Sequence, residues 1–188
     1  MGPASKQLLR REFRRRRRAA MQTVEAAMAA AARHALPGLI SPQQTLGLYW
    51  PVGHEPNLLS LAQAQPSGAA PSLALPVVEQ RELLYRAWRP HTPLSPDACG
   101  IPAPGPASPA VKPGDLGLML VPALALDHRG IRLGSGGGWY DRLRSRKRWR
   151  AVPAVAVLPA ACLTPELPSD PWDVPFDGWL DEQGIHWI

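Results

Sequence analysis

Cysteine is scarce in this chain of 188 residues. Its two cysteines, Cys99 and Cys162, are too few and too isolated to form a disulfide framework, so the expected setting is a reducing cytoplasm and a core held by burial. Long apolar runs are missing as well. The longest, Leu116 to Leu126, falls well short of the roughly twenty residues a spanning helix needs, and no secretory h-region stands near the start, so no membrane association is expected. The histidines, His34, His54, His91, His128 and His186, show no pair at metal-ligand spacing, and neither cysteine has a close partner, which argues against a zinc site. A Gly-x-Ser-x-Gly elbow is lacking, and with it the support for serine-hydrolase chemistry. No internal repeat is found.

Acidic residues are outnumbered, 15 against 21 basic ones, for a net charge of +6. The excess crowds one amino-terminal segment, where Lys6, Arg10, Arg11 and Arg14 through Arg18 stand close together. Such a run reads first as a solvated helix face, with a phosphate site or a nucleic-acid surface as rivals. From Ser5 to about His34, Leu9, Phe13, Ala20, Val24 and Met28 keep an apolar stripe. That spacing predicts a long first helix stopped near Pro37-Gly38.

With 45% hydrophobic residues the chain can bury one sizeable core, and residues 1–188 read as a single domain with a long basic first helix and a proline-rich loop near 90–113. Apolar runs at Thr45 to Trp50, Ser72 to Val78, Leu83 to Trp88, Leu116 to Val121 and Val152 to Leu158 predict strands. Helical stretches are expected around Leu58 to Gln65 and Trp139 to Arg148. This alternation predicts a three-layer α/β/α fold with a largely parallel sheet and ligands at the carboxyl ends of its strands. The 23 prolines, clustered at Pro90 to Pro113 and Pro153 to Pro175, predict rigid surface loops, the first cluster partly disordered.

The most informative stretch is Asp115 to Arg142, where an apolar strand enters a basic, glycine-rich turn and then a segment opening Trp139-Tyr140-Asp141-Arg142. Gly134, Gly136, Gly137 and Gly138 allow the backbone to approach an anion closely with several N–H groups inward. Ser135 adds a hydroxyl. Arg132 and Arg142 bracket the turn and can neutralise phosphate charge, while Asp141 offers the hard oxygens that magnesium prefers. The Gly-Lys-Ser/Thr ending of a P-loop is missing, and tryptophan stands where a dinucleotide fingerprint requires glycine. A tight turn without ligand is the plain alternative.

Pro122 followed by Asp127-x-x-Gly130-x-Arg132-Leu133-Gly134-x-Gly136-Gly137-Gly138-Trp139-Tyr140-Asp141-Arg142 resembles the signature of the 5-formyltetrahydrofolate cyclo-ligases, also called methenyltetrahydrofolate synthetases. Lys6-x-x-x-Arg10, Tyr49-Trp50-Pro51 with Glu55, Gly100-Ile101-Pro102 and a late Asp173 resemble further family elements. Two positions depart from the pattern: Ala103 stands where glutamate is frequent, and Trp139 where tyrosine is frequent. The resemblance implies ATP-dependent cyclisation of 5-formyltetrahydrofolate to 5,10-methenyltetrahydrofolate, with ATP as co-substrate, Mg2+ as metal and a reduced folate as partner.

By that resemblance, Lys6, Arg10, Arg132, Gly134, Ser135, Gly136, Gly137, Gly138, Trp139, Tyr140, Asp141 and Arg142 would bind ATP. Trp50, Glu55, Gly137, Trp139 and Tyr140 would hold the folate, Arg132, Tyr140 and Asp141 would serve catalysis, and Asp141 with Asp173 would carry the metal. Lys6 and Arg10, four apart on one helical face, can reach one triphosphate; Arg14 through Arg18 read as surface charge. Bland readings stay open: Glu55 as a cap near Asn57, Trp50 and Tyr140 as core aromatics, Asp173 as one of several solvated aspartates. The rival functions are a nucleic-acid-binding module using the first helix and a folate- or nucleotide-binding relative without turnover. A monomer that binds no nucleic acid is the expectation.

Overall fold

A computed structural model describes residues 3–62 and 72–188 of the chain. Its centre is an eight-stranded sheet in the order β13 (Gly184–Trp187), β12 (Gly178–Asp181), β10 (Ala154–Val157), β7 (Leu116–Pro122), β1 (Thr45–Gly47), β2 (Ser72–Glu79), β3 (Glu82–Trp88) and β6 (Ala110–Val111). The five strands from β12 to β2 are mutually parallel, and antiparallel β13, β3 and β6 close the two edges. Buried on both faces, β10 is apolar at every position and β7 nearly so, as parallel strands require. A small sheet of β8 (Ala125–Asp127), β9 (Arg132–Leu133) and β11 (Leu163–Thr164) extends from the end of β7, and β4 (Leu94–Pro96) pairs with β5 (Pro102–Pro104).

Helix α1 (Pro3–Ala35) is about 50 Å long at the standard rise. Its later half lays Met21, Met28 and Ala32 on a core with Leu48, Leu75, Leu118, Leu120 and Val157. The short helices α2 (Trp139–Arg144) and α3 (Lys147–Arg150) cover the other face, where Leu143 and Trp149 pack with Met119, Val121 and Ala156. The result is the expected α/β/α layering. Burying a side chain such as Met28 contributes about 2 kcal/mol, so the later half of α1 is held by packing.

The earlier half of α1 runs past the carboxyl ends of the strands, where Lys6, Arg10, Arg14 and Arg17 face the cleft while Phe13 still packs in the core. Its last turn passes into a short 3-10 turn at Leu36–Gly38, where Pro37 ends the regular pattern. Three helix and loop expectations need correction. The stretch Trp139 to Arg148 divides at Ser145-Arg146 into α2 and α3. The Leu58 to Gln65 stretch forms a 3-10 turn at Leu59–Ala62, its last three residues lying outside the described ones. The proline-rich segment is more than loop: β4 and β5 pair within it, and one Asp97 oxygen accepts from the N–H groups of Cys99 and Ile101 while the other accepts from Val78 on β2. A single carboxylate thus docks that hairpin turn against the main sheet.

Candidate active site

A cleft of about 720 Å³ opens at the carboxyl ends of β1, β2 and β7, within the size range of ligand sites. From β1 the sheet grows one way to β2 and the other way to β7. The loops that follow β1 and β7 therefore diverge at a switch in strand order, which is where open α/β sheets hold ligands. The first loop brings Trp50 and Glu55, the second brings Arg132 to Asp141, and the early half of α1 lies across both with Lys6, Arg10, Arg14 and Arg17.

At one end the loop Gly134–Gly138 joins β9 to α2. Gly136 and Gly138 have φ of 112° and 64°, values open to glycine at little cost. A Cβ on Gly134 would stand 2.7 Å from the guanidinium of Arg132, which lies directly beneath the loop. Arg10 Nε donates to the Gly134 carbonyl at 3.1 Å and Arg14 to the Ser135 carbonyl at 3.3 Å. These bonds engage loop carbonyls and leave the amides on the other side of the peptide planes. Arg132 donates to the Pro122 carbonyl at 3.2 Å, lies over the rings of Tyr140 and Phe176, and approaches the Asp141 carboxylate at 3.6 Å. Because α2 has only six residues, its dipole adds little.

Lys6 closes the wall beside the loop, donating to Asp170 at 2.6 Å and to Asp173 at 3.1 Å. Asp173 also accepts from the backbone N–H of Asp170, so the two acids form one compact acceptor. Burial opposes the ammonium charge, but these bonds outweigh it and hold the Lys6 pKa above its ordinary value.

At the other end the apolar walls are Pro76, Val78, Leu83 and Ile101, and Tyr49 below donates to the Pro56 carbonyl at 2.6 Å. Glu55 folds back to accept from the Val52 N–H at 3.0 Å and faces Arg17 at 3.6 Å. Burial raises the Glu55 pKa above the glutamate norm, and the Val52 N–H and Arg17 only partly offset it. Burial likewise pushes the Tyr140 phenol well above its usual range, so it stays protonated at neutral pH.

A sequence profile described as the 5-formyltetrahydrofolate cyclo-ligase family matches residues 3–181. The chain belongs to that family. A 5-formyltetrahydrofolate cyclo-ligase of Mycolicibacterium smegmatis is 34% identical over 180 residues, covering 93% of this chain and 92% of that protein. One from Haemophilus influenzae is 36% identical over 96 residues, half of each chain. Among solved structures, the 5,10-methenyltetrahydrofolate synthetase of Aquifex aeolicus superposes with a TM-score of 0.75 at 25% identity, over 97% of this chain and 92% of that one. The Mycoplasma pneumoniae synthetase, at 19% identity and TM-score 0.64, shares the fold over 94% of this chain and 98% of its own. Members of the cyclo-ligase family are ligases, and this chain is an enzyme of that class.

The cleft of this cyclo-ligase family member brings together Lys6, Arg10, Trp50, Glu55, Arg132, the five loop residues, Trp139, Tyr140, Asp141 and Asp173. Arg142 does not line it; its guanidinium lies 4.5 Å over the Trp139 ring. Asp173 reaches the cleft wall already engaged by Lys6. Among the described residues, no group of three or more His, Cys, Asp or Glu side chains could hold a metal ion by itself. Glu55 caps its own turn through Val52, while Asn57 Oδ1 accepts from Leu59 at the start of the following 3-10 turn.

The sequence reading missed Arg14 and Arg17, set aside as surface charge; Arg14 lines the cleft beside the loop, and Arg17 is buried. Arg15, Arg16 and Arg18 are exposed, as expected. The available signal was spacing: Lys6, Arg10, Arg14 and Arg17 continue one helical face. Ala103 is buried within β5 and does not reach the cleft, whereas Cys99 and Ile101 on the turn before it do.

Proposed function

We propose that this chain catalyses the ATP-dependent closure of 5-formyltetrahydrofolate to 5,10-methenyltetrahydrofolate, releasing ADP and phosphate, and does so as a single domain. The observation that carries this reading is one continuous cleft with the Gly134–Gly138 loop at one end and Trp50 with Glu55 at the other. Two ligands held there meet near Tyr140 and Asp141. The chemical obstacle is the formyl oxygen, a poor leaving group. Attack of that oxygen on the γ-phosphorus expels ADP; nitrogen 10 then attacks the activated formyl carbon and gives up its proton to solvent, and phosphate departs as the ring closes. The task left to the protein is alignment and charge neutralisation.

In this reading the loop amides, Arg10 and Arg132 take the triphosphate, whose oxygens replace Asp170 and Asp173 as partners of Lys6. Asp141 fits a magnesium shared with the nucleotide, since such ions use one or two carboxylates plus phosphate oxygens, and Asp173 becomes available when Lys6 is drawn away. When bound, the ion would neutralise charge that develops on the phosphates. Trp50 and Trp139 offer stacking faces to the pterin, and the Glu55 carboxylate accepts from its ring N–H donors. The protonated Tyr140 phenol can donate to the formyl oxygen.

The test is the appearance of the methenyl chromophore with purified protein. It is expected to rise only when ATP, magnesium and 5-formyltetrahydrofolate are all present. Calorimetric binding of both ligands without product would replace this reading by that of a non-catalytic relative. Neither binding nor product, with salt-sensitive oligonucleotide binding instead, would replace it by a nucleic-acid module.

A further inference from the structure

On α1, Phe13, Arg17 and Met21 follow one another at intervals of four on the buried side, and Met28 and Ala32 continue the stripe. Arg17 thus occupies a position where an apolar side chain would pack at lower desolvation cost, and it is only 6% exposed. Its bonds do not repay that burial. One nitrogen donates to the Ala123 carbonyl at 3.3 Å, the Glu55 carboxylate stands 3.6 Å away, and Nε has no partner among the described residues. Arg144, more buried still, also leaves its Nε without a partner among the described residues, but its other nitrogens make a 2.7 Å bond to the Pro175 carbonyl and a 3.2 Å bond to Asp177, away from the cleft. Arg17 lines the cleft with its donors under-used, beside the carboxylate that faces the same space.

We propose that Arg17 is a specificity-determining residue that donates to the 4-oxo oxygen of the pterin, next to the donor edge taken by Glu55. This rests on the folate reading given above. A pterin edge carries the 2-amino group, the N3–H and the 4-oxo oxygen in a row, two donors followed by an acceptor. A carboxylate accepts from the first two, and a guanidinium lying against that carboxylate meets the third with an N–H. Replacing the 4-oxo group by an amino group turns the acceptor into a donor, which leaves the guanidinium facing N–H groups and unpaired in a buried place; it also removes the N3 proton, a loss to Glu55 that the wild type and an Arg17 variant share.

The experiment compares calorimetric affinities of 5-formyltetrahydrofolate and its 4-amino analogue, without ATP, for the wild type and Arg17→Met. Methionine suits the buried stripe and removes every donor. The wild type is expected to prefer the 4-oxo compound by about 30-fold, in the range that loss of a charged hydrogen bond produces. In Arg17→Met the preference falls by about tenfold, the part that remains belonging to Glu55, while ATP affinity changes less than twofold. An unchanged preference in the folded variant overturns the proposal. So does a wild type that binds both compounds equally, a measurement that needs no variant. A wild type that neither binds reduced folate nor forms product defeats the functional reading itself, a result distinct from turnover with an unaltered preference.

Discussion

The glycine-loop end and the Glu55 end of the cleft hold their cations in opposite ways. Lys6, Arg10 and Arg14 donate to aspartates and loop carbonyls along the cleft wall, partners an anionic ligand can displace. Arg17 and Glu55 sit in an apolar wall at a distance too long for a hydrogen bond. One end stores positive charge that can be reassigned, and the other keeps polar groups fixed and partly unpaired. The difference follows from desolvation: half-buried pairs open to the cleft exchange partners at smaller cost, while a fully buried pair is worth most when a ligand completes it.

The contrast is broken most severely by Asp141→Ala, which should lower turnover by about 10³-fold, the scale for removing a preorganised charge-stabilising group, with the circular dichroism unchanged. Full activity in that variant would remove Asp141 from the metal assignment. Next, Glu55→Gln should weaken binding of 5-formyltetrahydrofolate by about 30-fold while the KM for ATP stays within about twofold, because the loss lies at one end only.

The same group gives the comparison a pH dependence. Its folded pKa is raised by burial, so the folded state binds more protons than the unfolded state over a window above pH 4.5. Across that window the contribution of Glu55 to stability falls as pH rises, whereas folate affinity, which needs the carboxylate, rises. A titration of affinity against pH should show an acid limb with its midpoint above 4.5 that vanishes in Glu55→Gln. Lys6→Met should raise the KM for ATP by about tenfold and leave that for folate unchanged, a steady-state measurement that sharpens the division from the other side. The smallest effect belongs to Arg15→Gln with Arg18→Gln, exposed residues outside the cleft wall: activity should stay within about twofold. If that double variant loses oligonucleotide binding shown by the parent, the solvent face of α1 has a role of its own.

Much of the fold was legible because burial writes a pattern. The helix expected from Ser5 to His34 is α1, and four of the apolar runs became β2, β3, β7 and β10 with ends shifted by at most two residues. Thr45 to Trp50 kept only three residues as β1, since the chain leaves the sheet at Leu48 to place Tyr49 and Trp50 in the cleft. The β12–β13 hairpin was not legible. Within β12 Trp179 donates to Asp181, which also bonds His186 across the hairpin, and the Trp179 and His186 rings stack, a polar cluster without the alternation that marks a strand. At the site, the glycine loop announced itself through residue types that few other structures need. Arg17 did not, because a run of five arginines conceals which one turns inward; its spacing from Lys6 and Arg10 and the register of Phe13 and Met21 on either side decide it together.

Lys6 and Asp170 are 164 positions apart, yet they bond directly. During synthesis, the upstream helix emerges from the ribosome long before the acids that cap it. At translation rates of about 5–20 residues per second, its arginines wait on the order of ten seconds or more without their eventual covering. The pocket's wall is therefore among the last parts to be sealed, and the nascent segment is at its most attractive to polyanions before any catalytic surface exists.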